Sequence, residues 1–95
     1  MVSDQQIARE RIAILHEKAE QAARDGEQDR AREYVRRARR IAERNRLSLP
    51  AEFDRFTCDA CDAYLLPGRN ARVRTRGGHV VVTCDCGGQA RYRYR

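Results

Sequence analysis

Apolar residues recur at helical spacing through the first half of the chain. Ala8, Ile12, Leu15, Ala19 and Ala22 follow one another in alternating steps of four and three, which puts them on one helical face. Ser3 stands three residues before Gln6, the capping-box spacing, so this helix is predicted to begin there and to run to about Arg24. Asp25-Gly26 supplies the stop, with glycine where the chain must turn left-handed. Ile7 and Ile14, one heptad apart, fall to the side of the stripe. The apolar sector is therefore wider than one packing partner requires. A second stripe, Ala31, Tyr34, Val35, Ala38, Ile41 and Ala42, predicts a helix from about Glu27 to Arg44. So short a turn between two helices makes an antiparallel hairpin.

The pattern changes after Asn45. Leu47 and Leu49 flank Ser48, and Pro50 ends any helix, so residues 45–50 read as a joint. Phe53 and Phe56 are expected to pin that joint against the core of the helical hairpin. His16, with nothing to pair with it in sequence, reads as a surface or boundary residue. Pro67-Gly68 marks a turn, and beyond it the period is two. Asn70 to Thr75 alternates as a strand, with Arg72 and Arg74 on the face opposite Val73. Gly77-Gly78 closes a tight hairpin, and His79 to Thr83 is the return strand. Arg91-Tyr-Arg-Tyr-Arg95 alternates strictly, tyrosines to one face and arginines to the other. The predicted architecture is α+β: an antiparallel helical hairpin over residues 1–50, followed by a ribbon of about three antiparallel strands over residues 51–95.

The cysteines give that ribbon a reason to fold. All four lie within it, as Cys58-Asp-Ala-Cys61 and Cys84-Asp-Cys86. A segment of about 45 residues buries too little apolar surface to be stable alone, and paired thiols on adjacent turns can bring four sulfurs to one point. One structural Zn²⁺ is the expected occupant, since it is tetrahedral and takes thiolate well. Disulfides would need an oxidising compartment. The opening Met1-Val-Ser-Asp-Gln-Gln is polar, and no apolar run reaches the length of a signal core or membrane span, so a reducing cytoplasmic setting without membrane contact is expected. A redox C-x-x-C would sit at a strand end of a βαβ unit, which the pattern lacks. A catalytic zinc would keep a position open for water, whereas four cysteines fill the shell.

Charge then narrows the function. Lys+Arg number 20 against Asp+Glu 14, for a net charge of +6, and every basic residue except Lys18 is arginine. Arginine forks onto phosphate and stacks on bases, so a small Arg-dominated protein points to nucleic acid. At about 100° per residue Arg36, Arg37, Arg40 and Arg44 fall opposite the apolar stripe of the second helix. Their clustering toward its C-terminal half is explained in part by the helix dipole; the rest reads as a phosphate-facing surface in preference to an ordinary solvated one. Arg91, Tyr92 and Arg93 fit RNA through phosphate contact and stacking, or an edge strand whose tyrosines cover the ribbon. No Ser-His-Asp set and no His-carboxylate cluster offers a general base or nucleophile. The competing classes are a DNA-binding or transcription zinc ribbon and a protein–protein adaptor.

Three stretches, in order, resemble the archaeal ribonuclease P protein component 4 family. They are Tyr34-Val-Arg-Arg-Ala-Arg-Arg-Ile-Ala-Glu-Arg-Asn-Arg-Leu-Ser-Leu-Pro50 followed by a C-x-x-C, Leu66-Pro-Gly-Arg-Asn-Ala-Arg-Val-Arg74, and Val82-Thr-Cys with Cys-Gly-Gly and a terminal Arg-Tyr. The resemblance implies two N-terminal helices before a zinc ribbon, with Cys58, Cys61, Cys84 and Cys86 as zinc ligands. It implies a non-catalytic subunit of the ribonucleoprotein that removes the 5′ leader of precursor tRNA. There the RNA holds the active site and its Mg²⁺, and the protein pairs with component 1 among the other protein subunits. Arg36, Arg37, Arg40, Arg44, Arg72, Arg74, Arg91, Tyr92 and Arg93 are the expected RNA contacts, and Ile7 and Ile14 the expected partner face. The departure is Cys84-Asp-Cys86, where the family shows C-x-x-C. It predicts fewer amide-to-sulfur hydrogen bonds and opens a place for His79 or Asp85 as a ligand.

Overall fold

The computed structural model describes residues 3–93; Tyr94 and Arg95, the end of the alternating run, lie outside the described residues. The first helix, α1, spans Asp4–Arg24, and Ser3 caps it by accepting a hydrogen bond from the Gln6 amide at 3.1 Å. Gly26, at φ 80, closes its C-terminus. The Gly26 amide donates to the Ala23 carbonyl and the Glu27 amide to the Ala22 carbonyl, at 3.1 and 2.9 Å, which satisfies carbonyls the helix leaves free. The second helix, α2, spans Gln28–Arg44 and ends in the same motif. Here the left-handed position is held by Arg46, at φ 54, with bonds from Arg46 to Glu43 and from Leu47 to Ala42.

The two helices pack through small side chains. Ala19, Ala23, Ala31, Val35 and Ala38 are fully buried, and Ile12 is 1% exposed. The same core takes in Phe53 and Tyr64 from beyond the joint. A short third helix, α3, at Ala51–Arg55, carries Phe53 into it. Phe53 stacks on His16, rings 5° apart and centroids at 4.4 Å, and His16 Nε2 lies 3.1 Å from the Tyr64 hydroxyl. His16 is half-buried, a boundary residue as expected, but one with partners far away in sequence. Burial, with Glu20 nearby, pushes the Tyr64 phenol up to about 12, so it stays a neutral hydrogen-bonding group. Phe56 remains at the surface, against Tyr64.

The ribbon has three antiparallel strands in the order β1-β2-β3: β1 at Ala71–Arg76, β2 at His79–Cys84 and β3 at Gln89–Arg93. Gly77 and Gly78 both have positive φ, 55 and 83, the backbone a two-residue turn between twisted strands requires. The register fixes two faces. Val73 opposite Val82, and Val80 opposite Tyr92, lie on the apolar face. Arg72 opposite Thr83, Arg74 opposite Val81, Arg91 opposite Val81, and Arg93 opposite His79 lie on the other. Under the apolar face sits a second, smaller core of Cys58, Ala63, Leu65, Ala71, Val82 and Cys84. Two of those six residues are cysteines, so the ribbon's packing and its thiols are one structure. No helix among the described residues is long and apolar enough to cross a membrane.

Candidate metal centre and nucleic-acid interface

Two turns aim the thiols at one another. In the first, the Asp62 amide donates to the Cys58 carbonyl at 2.9 Å and the Cys58 amide to the Ala63 carbonyl at 3.0 Å. Asp62 takes a positive φ of 62 to close this loop, a conformation aspartate tolerates better than most side chains. In the second, the Gly87 amide donates to Cys84 and the Cys84 amide to Gly88, at 2.9 and 2.8 Å. A side chain at Gly88 would meet Cys58 Sγ at 3.1 Å and Cys86 Sγ at 3.4 Å, so the turn lies close against two sulfurs.

The result is a compact cluster of four sulfurs. Cys58 Sγ lies 3.5 Å from Cys86 Sγ, and Cys61 Sγ 3.7 Å from Cys84 Sγ, with all four ligand atoms within 4.8 Å of one another. These are free thiols, far beyond disulfide length. A tetrahedral Zn–S distance of about 2.3 Å puts neighbouring sulfurs about 3.8 Å apart, so the donor set fits a metal such as zinc. The shortened C-x-C pair still converges. It keeps one amide-to-sulfur hydrogen bond, donated by the Gly88 N–H to Cys86 Sγ at 3.4 Å. That amide holds the exposed Cys86 thiol down to about 7, while burial pushes Cys84 up to about 12 and Cys58 upward. Among the described residues the cluster consists of the four cysteines alone. His79 does not join it. It sits at the far end of β2, paired with Arg76 beside the Gly-Gly turn, and its Nδ1 lies 3.3 Å from the Gly77 carbonyl. Asp85 is exposed and joins it no more than His79 does; its amide donates to Asn70.

From Arg36 onward the arginines of α2 divide into two groups. Arg36 faces the ribbon, its Nε donating to Asp62 at 3.0 Å. Beside it, Arg39 forms an ion pair with Asp62 and reaches Thr57 Oγ1, the Cys58 carbonyl and Asp59 Oδ1 at 3.1, 3.3 and 3.2 Å. Arg39 thus grips the loop that carries the first two cysteines, a role sequence reading missed. The second group faces away. Arg37, Arg40 and Arg44 line an open groove of about 420 Å³ with Arg11, Ile14, Leu15 and Ile41. Arg37 also pairs with Glu33 at 3.6 Å, an exposed pair of little energetic weight. Ile7 and Ile14 are 37% and 53% exposed, so neither phenylalanine covers them.

On the ribbon, Arg72, Arg74, Arg91 and Arg93 are exposed on one sheet face, joined by Arg76 in the same register. None of the five makes an ion pair among the described residues. Strands about 4.8 Å apart carrying uncompensated guanidinium groups make a dense positive surface. Tyr92 lies on the opposite, apolar face, half-buried, with the Arg55 guanidinium 5.5 Å from its ring centroid.

Known proteins share this layout. The family model described as the RNAse P Rpr2/Rpp21/SNM1 subunit domain matches residues 11–87, which include both turns of the sulfur cluster. Ribonuclease P protein component 4 of Halobacterium salinarum is 74% identical over 88 residues, covering 93% of this chain and 95% of that protein. The component 4 of Methanocaldococcus jannaschii is 49% identical over 85 residues, 85% of this chain and 66% of the relative. A chain in the cryo-EM structure of archaeal Ribonuclease P with mature tRNA superposes with a TM-score of 0.89 at 46% identity, over 94% of this chain and 78% of that one. The Pfu Rpp21 structure matches with a TM-score of 0.63 at 38% identity, over 90% and 97% of the two chains. With most of its helical hairpin, the first two strands of its ribbon and all four clustered cysteines inside the matched span, the chain belongs to the Rpr2/Rpp21/SNM1 family of ribonuclease P subunits, among the archaeal component 4 proteins.

Proposed function

We propose that the chain is an RNA-binding protein subunit of ribonuclease P that supports the catalytic RNA in removing the 5′ leader of precursor tRNA. The observation that carries this reading is the likeness, in sequence over almost the whole chain and in fold, to a subunit found in archaeal Ribonuclease P with mature tRNA. The basic sheet face gives it a physical mechanism. Arg72, Arg74, Arg91 and Arg93, with Arg40 and Arg44 on α2, neutralise RNA phosphates, stabilise a compact RNA fold and lower the Mg²⁺ that the RNA needs. The hydrolytic chemistry and its Mg²⁺ belong to the RNA subunit. One structural Zn²⁺ on Cys58, Cys61, Cys84 and Cys86 staples the ribbon over residues 51–95. The helical hairpin, residues 1–50, carries the protein partner, component 1, on the sector of Ile7 and Ile14. The particle works in the cytoplasm. A DNA-binding ribbon is not favoured, because every relative reported above is a ribonuclease P subunit.

The test is binding of the zinc-loaded chain, paired with component 1, to ribonuclease P RNA across a salt series. Replacing Arg72, Arg74, Arg91 and Arg93 together with Ala should lower the log–log salt slope by about three, at roughly 0.7–0.9 per phosphate contact. An unchanged slope, or equal affinity for duplex DNA of the same length, refutes the reading.

A further inference from the structure

The two ends of the ribbon's apolar face differ. Near the sulfur cluster Leu65, 3% exposed, covers it. Toward the Gly-Gly turn nothing among the described residues does, and Val73 is left 47% exposed with Phe56 beside it at 38%. Between them lies a groove of about 730 Å³, walled by Phe56, Val73, Val80 and Tyr92 and edged by Arg55, with Arg93 reaching its rim from the polar face of the sheet. Its size is that of a small-molecule site. Among the described residues the charged groups lining it, Arg55 and Arg93, are both positive. The Arg55 guanidinium, 5.5 Å from the Tyr92 ring centroid, already forms one cation–π layer at its edge. The Phe56 ring is held by stacking on Tyr64 at 6.4 Å and 24°.

A flat apolar ligand carrying negative charge meets every part of this groove. We propose that it is a stacking site for an unpaired RNA base, with Phe56 as the platform and Arg55 and Arg93 receiving the flanking phosphates. The proposal rests on the RNA-binding reading above and adds a preference to it: the basic sheet face takes phosphates from any RNA, whereas this groove takes a base only where the strand is open. An apolar protein segment would fill the volume but leave Arg55 over the groove, and Arg93 at its rim, without anions.

Fluorescence anisotropy on the zinc-loaded chain tests this with a short single-stranded oligoadenylate RNA and an RNA duplex of equal length. Phe56→Leu keeps the apolar cover but removes the platform. It should weaken single-strand binding about tenfold, leaving the salt slope and duplex binding unchanged. Arg55→Ala should lower the single-strand slope by about 0.7. Val73→Asp, on an exposed wall, sets a carboxylate against the phosphates and should weaken single-strand binding without unfolding the ribbon. If the parent chain binds RNA and neither Phe56→Leu nor Val73→Asp alters single-strand affinity, the groove proposal fails and the RNA-binding reading stands. Equal loss on single strand and duplex also overturns it. If these variants instead lose component 1 while binding RNA normally, the groove is a protein site. A parent chain that binds neither RNA overturns both readings.

Discussion

Removing Arg39 isolates the contact between the helical hairpin and the first cysteine turn. Its side chain is 25% exposed, as is that of its main partner Asp62, so the pair is shielded without being fully buried. The acceptors it would leave behind are not orphaned. Asp62 keeps the Arg36 Nε at 3.0 Å, the Cys58 carbonyl keeps the Asp62 amide at 2.9 Å, and the Thr57 hydroxyl keeps the Asp54 carbonyl at 3.0 Å. Asp59, 89% exposed, contributes little. The loss is therefore that of a partly buried charge-assisted interaction, about 2 kcal/mol, and not the 3–5 kcal/mol of a buried ion stripped of its partner. In a domain of this size that is about 10 °C in Tm. The assay is thermal unfolding by circular dichroism at fixed free zinc, for Arg39→Ala, Asp62→Ala and the double variant. The cycle should show a coupling of about 1–2 kcal/mol. Arg39→Lys should recover less than half of the loss, because a point charge cannot serve Asp62 and Thr57 at once. A loss below about 0.5 kcal/mol for Arg39→Ala, or additive single variants, would refute the grip assigned to this residue.

Cys58→Ser, or zinc chelation, should collapse the β-sheet amide resonances while retaining most of the helical ellipticity at 222 nm, because the metal and the ribbon core share residues and the alanine core does not. Zinc displaces thiol protons, so affinity should fall as pH falls. Cys58 and Cys84, both raised, surrender protons to the metal across neutral pH, and below about 7 Cys86 competes as well, so log K against pH should steepen there in a chelator competition. Arg46→Gly should stabilise the chain by about 0.5 kcal/mol in urea unfolding, since relief of the left-handed backbone at φ 54 outweighs the added freedom of the unfolded glycine. Ile14→Asp, at a side chain 53% exposed, should leave Tm within about 1–2 °C and abolish co-purification with component 1; a destabilised variant would place Ile14 in the core.

What could be read in the sequence was local or covalently close. The helix stripes, the Ser3 cap, the Gly26 stop and the Gly77-Gly78 turn each depend on residues within a few positions of one another. The four cysteines were legible because their spacing implies two turns, and two turns can meet. What was missed depends on how the ribbon leans on the helices. Arg36, Arg37, Arg39 and Arg40 look alike in sequence, and only the approach of residues 57–62 selects Arg36 and Arg39 for docking. The link between His16, Phe53 and Tyr64 joins side chains up to 48 positions apart, so no window reveals it. The alternation of residues 91–93 separates tyrosine from arginine, but says nothing of which face meets Arg55 and the valines. The suggestion of His79 as a ligand failed for a related reason: a strand of six residues carries it to the opposite end from Cys84.

The seam between α1 and α2 is made largely of methyl groups, with Ala8, Ala19, Ala22, Ala23, Ala31, Ala38 and Ala42 all buried. Alanine loses no rotamer freedom on burial and hides little area, so both sides of its folding balance are small. The heat capacity released on unfolding should accordingly fall at or below the low end of about 12–15 cal/mol/K per residue, with a shallow dependence on denaturant. A stability curve with so little curvature changes slowly with temperature, and the hairpin should stay folded over an unusually broad thermal range despite a modest maximum.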